Sequence, residues 1–162
     1  MAGSIPASSI IHDTFVIERT YPQAPERVFA FLSDPAKKRR WFGDGSHHEV
    51  ERFELDFREG GREIVHSRFL AGSPFPGVAL TNEGAFQHIE PNRCVVTAST
   101  MSLGGRRISA TQVTMELLPT DSGGTTLKLT HQGIFFEGSD GPEMRKAGWH
   151  ELLDRFGAEL NR

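Results

Sequence analysis

Three histidines, His66, His88 and His131, stand in segments whose composition reads as strand. Imidazole titrates near neutral pH, so a histidine facing an enclosed space could protonate or orient a polar group of a bound molecule. His66 and His88 are the two candidates for general acid–base work, because their strands are expected to lie near one another. His131 ends the last strand of the series. The plainer expectation for each is a surface position or a hydrogen-bonded place in the core. Sequence parity does not settle the face, because a single bulge at Gly84 would flip the pattern.

Other chemistries find less in the chain. His47-His48-Glu49 offers metal-ligand types, but adjacent residues seldom aim at one ion. His150-Glu151-x-x-Asp154 approaches the metalloprotease pattern with Asp in place of the second His, on a helix face expected to meet solvent. No metal and no cofactor is therefore expected. Cys94 lies in the apolar run Cys94-Val95-Val96, where a thiol is ordinarily inert packing. No G-x-S-x-G elbow occurs, and Gly43-x-Gly45-x-x-His48 lacks the third glycine of a phosphate loop. The basic run Lys37-Lys38-Arg39-Arg40 is expected to form a solvated helix face.

The elements that must position these groups follow from polarity and punctuation. Residues 1–11 read as a flexible leader. His12–Thr20 alternates as a strand. Pro25 opens a short helix with Val28, Phe29 and Leu32 on one face, and Asp34-Pro35 starts a second that runs to about Phe42. Six strands are expected between 49 and 132. They are punctuated by Gly60-Gly61, the loop Gly72–Gly77, Pro91-Asn92, Gly104-Gly105 and Asp121–Gly124. Turns this short require antiparallel pairing. Asp140 with Glu143 reads as a capping box, and Trp149, Leu152, Leu153, Phe156 and Leu160 follow helical spacing beyond it. The fold class is α+β: a curved antiparallel sheet whose buried face meets one long C-terminal helix.

This order resembles the START-like (SRPBCC) helix-grip superfamily, and local motifs place the likeness in its branch related to the activator of Hsp90 ATPase. The motifs are Pro25-Glu26-Arg27-Val28-Phe29, Asp34-Pro35 before Trp41-Phe42, Phe57-Arg58-Glu59-Gly60-Gly61, Gly84–Pro91, Leu127-Leu129-His131 and Gly148-Trp149 before Leu152-Leu153. Their order and spacing together carry the resemblance, which covers residues 12 to 160. It implies a single domain over 12–162, with a sheet wrapped around the C-terminal helix and a cavity between them. The chain departs from the family pattern after Gly60-Gly61 and at His88, where the family often has an acidic residue. Members include lipid carriers, cyclases and co-chaperone domains, so fold alone does not select an activity.

The cavity walls expected from this arrangement are Trp41, Phe42, Phe57, Phe69 and Phe86, with Met101, Met115, Trp149, Leu153 and Phe156 completing them. Apolar pockets with a few polar groups are the usual way small molecules are held. The leading expectation is therefore binding of a hydrophobic or amphipathic small molecule, with no catalytic residue assigned. The first alternative is a polyketide-cyclase-like or hydratase-like enzyme using a cavity histidine. The second is a co-chaperone-type interaction domain with a chaperone partner. The segment Gly133–Gly138, with Phe135 and Phe136 between glycines, reads as a lid.

Composition narrows the classes further. Lys and Arg number 18 against 21 Asp and Glu, a net charge of −3, so no basic footprint for nucleic acid exists. No apolar run is long enough to span a membrane. The single cysteine excludes an internal disulfide, and the start of the chain lacks a secretory pattern, so a cytoplasmic setting is expected. An exposed edge, either the first strand or Glu63–Phe69, could pair in a homodimer.

Overall fold

The computed structural model describes residues 8–45 and 47–162. Most of the expected leader, residues 1–7, and Ser46 of the expected helix-ending turn lie outside them. Strand β1 (Ile11–Tyr21) is followed by helices α1 (Pro25–Ser33) and α2 (Pro35–Lys38), which runs into a π-helical turn (Arg39–Gly43). Strands β2 (His48–Leu55), β3 (Arg62–Phe69), β4 (Ala79–Glu90), β5 (Cys94–Leu103), β6 (Arg106–Pro119) and β7 (Thr125–Phe135) come next. Helix α3 (Gly141–Leu160) closes the chain. The α+β helix-grip architecture is the one expected, with two short helical elements after the first strand.

The strands form one antiparallel sheet in the order β1-β7-β6-β5-β4-β3-β2. β2 to β7 form a meander, and β1 returns along β7, with Ile11 opposite Phe135 and Tyr21 opposite Thr125. The edges are thus β1 and β2. Glu63–Phe69 lies inside the sheet, because β2 pairs along its outer side. Two turns show why glycine stands where it does. Gly104 and Gly105 join β5 to β6 at φ +58° and +81°, the left-handed pair that a two-residue hairpin requires. At Gly61 a Cβ would lie 2.0 Å from the Asp56 carbonyl oxygen, so only glycine lets the β2–β3 turn close.

Three local expectations are corrected. Asp140 does not cap α3; its carboxylate is taken by Arg145, a charged and bidentate partner stronger than a helix amide. Gly133–Phe135 is not a lid but the end of β7, and Phe135 is buried beneath the Arg145 guanidinium, 5.1 Å from its ring. Lys38 does not lie on a solvated face; it is buried against Glu63.

The core sits where α3 meets α1, β1 and the π-helical turn. Trp41, Phe31 and Tyr21 surround Phe156 edge-on, at ring centroid distances of 4.9, 6.3 and 5.4 Å. Edge-to-face packing of this kind matches the aromatic quadrupoles and adds to area burial. Leu127, Leu129, Leu153 and Leu160 fill the remaining space. Packing is therefore concentrated on the C-terminal half of α3, and this leaves its N-terminal half standing off the middle of the sheet.

Candidate functional site

A cavity of about 410 Å³ lies between that half of α3 and the concave face of β3–β7. Strand parity builds its floor. Glu63, Val65, Ser67 and Phe69 face inward from β3; Leu80 and Asn82 from β4; Thr97, Ser99 and Met101 from β5; Thr111, Val113 and Met115 from β6; and His131 from β7. Cross-strand register aligns them in rows: His131–Val113–Thr97, and Val65–Asn82–Met101. At the centre of the sheet the inward residues are small and polar, and Gly84 lies between Glu63 and Ser99. Such side chains do not reach the helix, which is the physical origin of the space. From above, Phe42, Met144, Gly148, Trp149, Leu152 and Arg155 close it, with Gly45, His47 and His48 at one end.

Five of the ten expected wall residues line this cavity: Phe42, Phe69, Met101, Met115 and Trp149. The other five do not. Trp41, Leu153 and Phe156 belong to the packed core under the C-terminal half of α3, and the Trp41 indole N–H donates to the Phe31 carbonyl at 2.8 Å. Phe86 and Phe57 stack edge-on at 5.0 Å beyond the end of the cavity, with Phe29 against Phe57. Helical spacing identified a buried stripe correctly, but one stripe serves both the core and the cavity, divided by where the helix leaves the sheet.

The two candidate acid–base histidines face away. His66 alternates with Val65 and Ser67 and so lies on the outer face, where its Nε2 meets Glu83 Oε1 at 2.8 Å. This hydrogen bond holds the Glu83 carboxyl below its ordinary range. His88 would share the inward parity of Phe86 in a regular strand. A bulge between Phe86 and His88 sets His88 opposite Val96 and turns it outward, beside Glu59 and Glu90. His150 and Asp154 do not form a metal pair; both contact the Arg19 guanidinium, at 3.1 and 2.7 Å. Burial, followed by the Glu116 and Glu90 charges, pushes the Cys94 thiol up, which suits an unreactive strand cysteine.

Of His66, His88 and His131, only His131 lines the cavity. It is 1% exposed, its Nδ1 is sealed without a hydrogen-bond partner, and Phe15 stacks on its ring at 4.4 Å. Burial, followed by the nearby Arg145 charge, lowers its pKa from 6.5 to about 4, so it is neutral at physiological pH. Arg145 is itself paired. It grips Asp140 through Nε and Nη2 at 2.7 and 2.9 Å and donates to Ser109 Oγ at 3.0 Å. Burial pushes the Asp140 carboxyl up, but the Arg145 bonds and charge outweigh it and hold it below the ordinary value.

The buried pair Lys38–Glu63 borders the opposite side, with the ammonium over Phe42 and Phe86 at 4.8 and 5.6 Å. Arg155 donates to the Asp44 carbonyl, while its Nε is sealed without a partner. Sequence reasoning missed Lys38, Glu63, Asn82, Arg145 and Arg155 as cavity residues. The available signal was parity: Glu63 shares a face with Val65 and Phe69, and Arg145 precedes Trp149 by four.

A curved sheet gripping a helix, with an amphipathic cavity between them, defines a helix-grip domain built to enclose space. Residues 23–161 match the family described as "Activator of Hsp90 ATPase homolog 1-like protein", and the chain belongs to that family. Among solved structures it is similar to a protein from Rhizobium loti, with 40% identity over 94% of this chain and 99% of that one and a TM-score of 0.80. A Rhizobium leguminosarum protein is 32% identical over 95% and 97% of the two chains, with a TM-score of 0.85. The AHSA1 protein of Silicibacter pomeroyi is 25% identical over 92% and 98%, with a TM-score of 0.71. No protein of curated function matches the chain. Among the described residues no helix is long and apolar enough to cross a membrane.

Proposed function

We propose that the protein binds an amphipathic small molecule in the cavity between the sheet and α3. The observation that carries this reading is the cavity itself. Its volume of about 410 Å³ falls within the range of small-molecule sites. Interiors are normally close-packed, so a concavity of this size between sheet and helix, lined by apolar and polar side chains, suits a small molecule. Val65, Phe69, Met101, Val113, Met115 and Trp149 offer an apolar surface for the body of the molecule. Asn82, Thr97, Ser99, Thr111 and His131 offer hydrogen bonds that would fix its orientation.

The test is native mass spectrometry of protein purified without added ligand, followed by organic extraction, on the wild type and Val113→Phe. Val113 lines the cavity floor, so the larger ring fills space the ligand needs. A molecule that co-purifies with the wild type and is lost from the variant supports the reading. Equal capture by both chains, or no capture together with no binding of an added amphipathic probe, would overturn it.

A further inference from the structure

We infer that the bound molecule carries an alcohol or phenol hydroxyl, which hydrogen-bonds the His131 imidazole beside Arg145. This rests on the ligand-binding reading above and deepens it.

His131 is the least expected group in the cavity wall. It shares its parity on β7 with the buried apolar residues Leu127, Leu129 and Phe135. The imidazole stacks on Phe15 with planes 7° from parallel, and Phe135 lies nearly parallel at 6.0 Å. An aromatic hydrocarbon side chain would suit this stack. Instead an imidazole stands there, with Nδ1 sealed and no hydrogen bond from its ring to any described residue. Buried polar groups are nearly always bonded, and those left without a protein partner call for an explanation such as a ligand.

The surroundings select the chemistry of the missing partner. A ligand ammonium would meet the Arg145 guanidinium, which packs on the same Phe135 ring as His131, at 5.1 Å against 6.0 Å. A ligand carboxylate would seek that guanidinium, but the Asp140 carboxylate already neutralises its charge through Nε and Nη2. What remains is a neutral group. Because Nδ1 is sealed, Nε2 is the nitrogen that can meet a ligand, and a hydroxyl, which both donates and accepts, matches Nε2 in either neutral tautomer. Val113 and Met115 beside it would hold the apolar body of the molecule.

The experiment compares 4-butylphenol with 4-butyltoluene, which differ by a hydroxyl in place of a methyl group. Affinities of both are measured by calorimetry on the wild type and on His131→Phe, with His131→Leu as a second variant should the ring overpack. The ratio of phenol to toluene affinity is expected to be about tenfold higher in the wild type than in either variant, the value of one neutral hydrogen bond. The unliganded His131→Phe protein is also expected to melt above the wild type, since a buried unpaired polar group is gone. An unchanged affinity ratio would overturn the hydroxyl assignment while leaving the cavity reading intact. If neither compound binds the wild type, the cavity reading itself fails and this inference falls with it.

Discussion

His131 and Phe15 stack across the β1–β7 pair with ring centroids 4.4 Å apart and planes 7° from parallel. Phe15 thus covers one face of a titratable ring that the rest of the sheet removes from water. A group that would be protonated in mildly acidic solution is held neutral inside the fold.

That relationship makes stability depend on pH. The imidazole pKa is about 4 in the folded protein against 6.5 unfolded. Between these values the unfolded chain binds a proton that the folded chain does not. The linkage therefore lowers stability as pH falls from about 6.5 towards 4, and the contribution is fully present above 6.5. Arg145 and Asp140 are the charged groups that act on the ring, and the Arg145 bonds hold the Asp140 carboxyl below its ordinary value. Urea unfolding at pH 7 and pH 4.5 should differ by on the order of 2 kcal/mol more in the wild type than in His131→Phe. An identical pH dependence in both proteins would place the effect elsewhere.

The buried pair Lys38–Glu63 should behave as a coupled unit. Both side chains are nearly inaccessible, at 7% and 6% exposure. Lys38→Met leaves a buried carboxylate without its partner and is expected to cost about 3–5 kcal/mol, as is Glu63→Leu. The double variant should be less destabilised than the sum, because neither charge remains. Additive losses in denaturant titrations would mean that the two groups do not stabilise one another.

The two tryptophans should separate core from cavity. Trp41 is fully buried and hydrogen-bonded, so Trp41→Ala is expected to cost about 3–5 kcal/mol. Trp149 is half-buried against Phe42 at the cavity edge, so Trp149→Ala should cost about 1–2 kcal/mol and weaken capture of the extracted ligand. Thermal melts together with a binding titration distinguish the two. A large stability loss at position 149 would indicate a filled core at that place.

Histidines on the outer face should leave the cavity untouched. His66→Ala removes the bond to Glu83, and His88→Ala removes contacts among exposed carboxylates. Each is expected to change stability by no more than about 0.5–1 kcal/mol and to bind the ligand as the wild type does. Loss of binding in either variant would contradict the placement of these residues.

Much of this architecture was legible along the chain. Alternating residues flanked by Gly60, Asn92 and Gly104-Gly105 specify antiparallel strands, since only glycine or asparagine readily takes the left-handed turn geometry found there. Pro25 and Asp34-Pro35 start the two short helices, and Asp34 accepts from the Lys37 amide as an N-cap should. The same parity that buries Leu127 and Leu129 also carries His131 inward. These are local properties, set by backbone sterics and by the period of hydrophobic residues.

What local pattern cannot hold is decided by contacts distant in sequence. A single bulged residue in β4 turns His88 away from the face that Phe86 occupies, and no composition signal marks it. Lys38 resembles its neighbours in a basic run, yet it is buried because Glu63, on a strand far along the chain, faces it. Asp140 fits a capping pattern but serves Arg145. The apolar stripe of α3 is continuous, and only the docking of its C-terminal half on Tyr21, Phe31 and Trp41 determines where packing ends and the cavity begins. Sequence determined the elements and their hydrophobic period; the angle between sheet and helix, a property of neither alone, determined which side chains meet solid core and which meet open space.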